Sequence, residues 1–260
     1  MAINYFTDFM QHLDKNSDLS SIQPENGFTL SVNKPVGWTS FDVVNKVRYH
    51  LKFLWKKKKI KVGHAGTLDP LADGLLILGV GKGTKTMENW MGEEKVYSGH
   101  FRLGCVTPSF DAETEELDHK STDGIELDRL VEVSKQFSGF IKQYPPVYSA
   151  VKKGGVKLYK MARRGEKVDL PVRVVNIESF EILEWNNPLV SFRVKCGKGT
   201  YIRSLASDFG EKLGTGAYLV SLKRESIGNC HINDAFEIEE LLSALSLLKY
   251  PIESPSNHYN

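Results

Sequence analysis

Cysteine is scarce in this 260-residue chain: three residues, Cys105, Cys196 and Cys230, odd in number and widely spaced. No C-x-x-C pair occurs, so they read as reduced thiols rather than disulfides or a zinc cage. Long apolar runs are also missing. Leu75–Val80 and the serine-interrupted stretch 241–248 fall far short of the roughly 20 residues that span a bilayer. The first ten residues lack the basic and apolar regions of a secretory signal, which points to the cytoplasm. Neither H-E-x-x-H, H-x-x-E-H nor a Cys/His cluster appears, which argues against a catalytic metal. A G-x-S-x-G nucleophile elbow is absent too. The remaining composition, 41% hydrophobic and 25% charged, is that of an ordinary globular protein of one large domain or two small ones.

The formal net charge of +2 hides strong segregation. Residues 42–64 carry eight Lys/Arg against one Asp, including the run Lys56, Lys57, Lys58, Lys59. Residues 151–174 carry eight Lys/Arg against two acids, among them Lys152, Lys153, Arg163 and Arg164. Residues 111–128 carry eight acids against one Lys. Two such basic segments suit a face for a polyanion, although a solvated helix face or a lysine-rich loop gives the same pattern.

Phe6, Phe9, Met10 and Leu13 fit one helical stripe near the N-terminus. Phe28, Leu30 and Val32 alternate as a strand, broken by Pro35 and Gly37, after which Ser40 can cap a helix burying Val44, Val47, Leu51 and Leu54. Gly74–Gly83 reads as a buried element, and strands are predicted at 96–103, 173–183 and 190–195. Helices are predicted at 127–137, 156–164, 201–213 and 237–248. The mixture lacks β-α-β-α alternation, so an α+β sheet is expected.

The stretch Gly63-His64-Ala65-Gly66-Thr67-Leu68-Asp69-Pro70-Leu71-Ala72-Asp73-Gly74 is the most informative. Its glycines permit positive φ, and Pro70 pushes Asp69 towards an extended backbone. Such a loop can hold a carboxylate at the mouth of a cleft, or it can simply be an Asx-turn. The glycine-rich Gly79–Lys85 is not a P-loop, because Leu76 stands where that motif needs glycine and Gly83 follows Lys82.

Residues 33–85, with Lys95-Val96-Tyr97, Pro145–Lys152, Cys196–Arg203 and Gly214–Arg224 following in order, resemble the catalytic core of the TruB family of tRNA pseudouridine synthases. The resemblance covers residues 28–230 and implies a pseudouridine-synthase-like fold: a mixed, largely antiparallel sheet flanked by helices, with a central RNA-binding cleft. It implies a catalytic domain over 28–235, preceded by an N-terminal extension (1–27) and followed by a short acidic helix and tail (236–260) without the family's usual PUA domain. It also implies isomerisation of uridine 55 in the tRNA T loop. In that reading Asp69 is catalytic, and His64, Tyr97, Tyr201, Arg203 and Leu222 bind the substrate. The lysines and arginines named above contact the RNA backbone. No cofactor and no metal are expected, the partner is the T arm of tRNA, and the chain acts as a monomer. Asp73 replaces the family's usual Thr and Gly197 its usual Ser.

The chemistry agrees with this reading. Cleaving a ribosyl bond builds positive charge on the sugar, which one carboxylate can stabilise or trap. A hydrolase would need a second carboxylate and a water path, which no motif here supplies. A base inside a folded loop must be flipped out, and stacking on an aromatic such as Tyr97 offsets about 1–3 kcal/mol of that cost. A non-catalytic RNA-folding module would keep the cleft without needing Asp69, Tyr97 and Arg203 together.

Overall fold

The computed structural model describes residues 10–19, 22, 24–146, 152, 153, 156, 157 and 172–248. In chain order the elements are β1 (His12–Leu13), β2 (Phe28–Lys34), α1 (Ser40–Leu54), β3 (Val62–His64), β4 (Ala72–Val80) and α2 (Met87–Gly92). Next come β5 (Lys95–Leu103), α3 (Leu127–Lys135), β6 (Gly139–Gln143), β7 (Lys152–Lys153) and β8 (Val156–Lys157). The rest are β9 (Arg173–Asn186), β10 (Leu189–Cys196), α4 (Ile202–Leu213), β11 (Ala217–Ile227), β12 (Cys230–His231) and α5 (Ile238–Ser246). The expected α+β class holds. Two compact units emerge, one from residues 1–91 and 230–260, the other from 92–229.

In the first unit β2 runs antiparallel to β4, from Phe28 opposite Val80 to Lys34 opposite Gly74. Phe28, Leu30 and Val32 pack with Val43, Val44, Val47 and Leu51 of α1, and with Leu241 and Leu245 of α5. The other face of β2 is buried but polar. There Thr29 and Ser31 bond the two ring nitrogens of His12, each at 2.9 Å. Burial depresses the His12 pKa, opposed by nearby Asp14. His12 and Leu13 therefore form a strand parallel to β2 rather than the expected helix; Phe6 and Phe9 lie outside the described residues.

The helix cap also differs from expectation. Thr39, not Ser40, caps α1: Asp42 N–H donates to Thr39 Oγ1 at 3.1 Å and Thr39 N–H returns a bond to Asp42 Oδ2 at 2.8 Å. The short segment Gly81–Thr86 is a 3₁₀ turn. Its Gly83 serves close packing, since a Cβ there would lie 2.1 Å from the Phe28 carbonyl oxygen.

The second unit is an antiparallel sheet in the order β11-β5-β10-β9-β6. Phe101 stacks on Phe192 at 4.0 Å, with Phe180 and Phe209 edge-on or tilted around it. Strand β11 went unread in the sequence because register shifts at Leu219/Ser221 and Arg224/Ser226 break its alternation. Val156–Lys157 is strand, not the start of the expected helix at 156–164, whose remainder lies outside the described residues. Among the described residues no helix is long and apolar enough to cross a membrane.

Gly83→Ala should destabilise the fold by about 3 kcal/mol through overpacking. Gly63→Ala, whose added Cβ would meet only the Thr84 methyl at 3.8 Å, should change denaturant stability by less than about 1 kcal/mol. Asp208 on α4 supplies a pH test. Burial, reinforced by Glu211, raises its pKa from 3.8 to about 6. The folded state therefore holds a proton that the unfolded chain releases at lower pH, and stability falls as pH rises from about 4 to about 6. Asp208→Asn should remove that fall, gaining on the order of 1 kcal/mol over wild type at pH 7.5 and nothing at pH 3.5 in paired urea titrations.

Candidate active site

In the first unit the loop bearing Asp69 is tied on both sides. Ser40, freed from capping and buried, takes both backbone groups of Leu68: Leu68 N–H donates to Ser40 Oγ at 2.8 Å, and Oγ donates to the Leu68 carbonyl at 3.1 Å. On the other flank Gly37 N–H donates to the Pro70 carbonyl at 2.8 Å, and Ala72 N–H closes the turn on the Asp69 carbonyl at 3.1 Å. The turn is thus closed by backbone. Gly66, at φ +86°, takes the left-handed step that this path requires. Gly37 is itself held by the fully buried Lys34, whose Nζ donates to the Pro35 carbonyl at 2.9 Å and the Trp38 carbonyl at 2.7 Å. A buried ammonium needs such partners. Half-buried His64 ends β3, opposite Leu78 of β4.

In the second unit Arg203 sits one residue inside α4 and is only 7% exposed. Its Nη1 lies 3.2 Å from Asp111 Oδ2 and donates to the Ser109 carbonyl at 3.3 Å. Asp111, 2% exposed, receives the Ser109 hydroxyl on Oδ1 at 2.6 Å and the Glu113 N–H at 3.0 Å. Its backbone bridges to Leu219 of β11. Tyr201 precedes α4, and buried Gln143 bonds both its N–H, at 3.0 Å, and its carbonyl, at 3.3 Å. The Arg173 guanidinium lies 5.8 Å from the Tyr201 ring centre.

Tyr97 sits mid-β5, opposite Val194 and Arg224, and is buried. Leu222 lies opposite Gly99, where a side chain would meet the Ser221 carbonyl at 2.1 Å. Within the second unit, strands and the α4 terminus carry Tyr97, Tyr201, Arg203 and Leu222; the first unit carries His64 and Asp69. Three supporting roles escaped the sequence reading: those of Ser40, expected as a helix cap, of Gln143 and of Asp111. Asp111 opens the acidic segment 111–128, and only its bond to Arg203, distant in sequence, reveals its work.

Lys56, Lys58 and Lys59 are exposed and Lys57 half-buried. Lys152 and Lys153 form β7, with nothing described of their side chains; Arg163 and Arg164 lie outside the described residues. Among the described residues Cys105, Glu116 and His119 come close enough to share a metal. Glu116 is already engaged by Arg102 Nε at 3.0 Å and the Tyr218 hydroxyl at 2.6 Å, and burial pushes the Cys105 thiol up. The guanidinium supplies the positive charge there, and the cluster is read as an ion pair.

A sequence model described as TruB family pseudouridylate synthase (N terminal domain) matches residues 52–202. The tRNA pseudouridine synthase B of Parabacteroides distasonis is 46% identical over 215 residues, covering 83% of this chain and 92% of that protein. The enzyme of the same name from Flavobacterium johnsoniae is 46% identical over 213 residues, covering 82% and 93%. Among solved structures, a chain of a Cbf5-Nop10-Gar1 complex superposes with a TM-score of 0.61 at 27% identity, over 83% of this chain and 53% of that one. A chain of an H/ACA RNP bound to a substrate RNA containing 2′-deoxyuridine gives a TM-score of 0.60 at 24% identity, over 88% and 60%, and shares the fold. The chain spans little more than half the length of these solved chains but nearly all of its curated relatives, and it belongs to the TruB family of pseudouridylate synthases.

Proposed function

We propose that this chain isomerises uridine to pseudouridine in tRNA, at position 55 of the T loop, with Asp69 as the catalytic carboxylate. The observation that carries the reading is the Asp69 loop, bonded on both flanks, in a chain of this family. The reaction breaks N1–C1′ and forms C5–C1′, and the proton lost from C5 is balanced by one gained at N1. No water enters and no group departs, so one carboxylate acting on the sugar suffices and a second acid is not needed. A rigid loop keeps that carboxylate in reach of the sugar while the base turns.

Arg203 contributes a fixed positive charge to the same reaction. Held by Asp111 at the start of α4, it needs no reorganisation when charge moves. Tyr97 offers the flipped base an aromatic partner, Tyr201 and Leu222 bound its pocket, and His64 fills the gap that the base leaves in the loop. The basic segments bind phosphates without reading sequence. The chemistry draws on no cofactor, and in this reading the chain works as a monomer on tRNA in the cytoplasm.

Asp69→Asn should lower isomerisation by at least about a thousandfold, roughly 4 kcal/mol of barrier, while tRNA affinity stays within a few-fold. Appreciable turnover by this variant would sink the assignment. Asp111→Asn takes a buried countercharge away from Arg203, so thermal unfolding should report a loss of about 3–5 kcal/mol. Isomerisation should fall with it, even at temperatures where the variant is fully folded; full activity in the folded variant would remove Asp111 from the account.

A further inference from the structure

A cavity of about 410 Å³ opens in the first unit, walled on its apolar side by Trp55 and Ile60. Five lysines line it, Lys57, Lys59, Lys61, Lys82 and Lys85, against one acid, Glu25. The lysine run after α1 has an ordinary explanation by itself, because the carbonyl end of a helix favours cations. That explanation does not reach Lys61, next to β3, nor Lys82 and Lys85 on the 3₁₀ turn after β4. The turn is pressed against β2 through Gly83, so its lysines arrive by packing rather than by sequence proximity.

Two further observations give the cavity a direction. Lys56 takes φ +50° just past the helix, a conformation that costs a non-glycine residue on the order of 1 kcal/mol and where glycine is the usual choice. A charged side chain stands there despite that cost. The outer face of α1 exposes Phe41, Tyr49 and Phe53, at 58%, 77% and 79%. Arg48 lies 5.6 Å from the Phe41 ring centre and donates to the Val62 carbonyl at 3.2 Å, which joins this face to β3. From Phe41 to Phe53 the helix rises about 18 Å, more than a small anion needs.

We propose that the lysine cavity is a phosphate site for the backbone of the substrate RNA, continued by the aromatic and basic face of α1. The proposal rests on the tRNA reading above and names a non-catalytic anchor within it. Lysine ammoniums on mobile stems are point charges that accept phosphates without demanding a sequence. Interleaved aromatics and cations suit an RNA strand better than an acidic protein. His64 follows Lys61 by three residues, about 10 Å along an extended chain, or about three base-pair steps of a duplex strand. The anchor therefore takes backbone phosphates on the segment that leads into the Asp69 loop, apart from the sugar on which Asp69 acts.

The test uses the full chain with two double variants, Lys59→Gln with Lys61→Gln and Lys82→Gln with Lys85→Gln. Affinity for a T-arm stem-loop is measured across a salt series, and product formation is followed in parallel. Each pair should make the log Kd against log salt slope shallower by about 1–2, at near 0.9 per duplex phosphate. KM should rise about tenfold while kcat, the modified uridine and the melting temperature stay unchanged. In a second arm inorganic phosphate and uridine monophosphate are titrated against the Trp55 indole N–H resonance. RNA should shift that resonance at concentrations where neither small anion does. Unchanged salt slopes in both variants would overturn the anchor. So would saturation by either small anion with RNA binding unaffected, which would mark a small-molecule site instead. Absence of pseudouridine from wild-type reactions would defeat the functional reading rather than the anchor, which the salt slopes would still decide.

Discussion

A permanent cation taken out of water must be matched, and the pairing of Arg203 with Asp111 is the constraint on which the polar interior of the second unit depends. Both side chains are almost fully buried. Removing one partner from such a pair leaves an uncompensated charge that costs far more than the pair itself contributes. Asp111 must therefore be held as firmly as the arginine. The Ser109 hydroxyl and the Glu113 N–H fix its Oδ1, and a bridge to Leu219 fixes its backbone to β11. One ion pair thus ties the start of α4, a polar loop and a sheet strand into a single positioned charge. The acidic segment 111–128, which looks in sequence like solvated surface, begins with the one carboxylate that is not on the surface at all.

The first unit solves its own positioning problem with neutral groups. The Asp69 loop has no regular structure to stiffen it, so its shape comes from bonds to residues thirty positions away. Ser40 holds Leu68, Gly37 holds Pro70, and Lys34 holds the turn that presents Gly37. These bonds cost little to form because α1 and β2 are already fixed by a dense apolar core. A carboxylate proposed to meet a sugar carbon gains more from such rigidity than from any single contact.

Legibility followed the range of the interaction. The buried stripes of α1 and β2 and the alternation of β5 and β10 are local, periodic signals, and each was readable. Strand β11 was not, since its bulges shift the pattern twice. The N-terminal stripe misled because two hydroxyls on β2 capture His12 and make that segment a strand. Thr39 displaced Ser40 as cap because Asp42 completes a reciprocal pair with it. Asp69, Tyr97 and Arg203 were singled out through motif resemblance, whereas the bonds of Ser40, Gln143 and Asp111 span long sequence distances, where periodicity carries no information. The lysine run was visible; its convergence with Lys82 and Lys85 was not.

The central claim is an intramolecular exchange at one uridine, and the hydrogen on C5 reports it directly. Unmodified tRNA carrying tritium at C5 of its uridines would be incubated with the purified chain and no added cofactor. The account expects one tritium released per tRNA, no free uracil, and no release when the T-loop uridine is replaced by cytidine. Release of free uracil would mean hydrolysis, and no tritium release from intact tRNA would contradict isomerisation altogether.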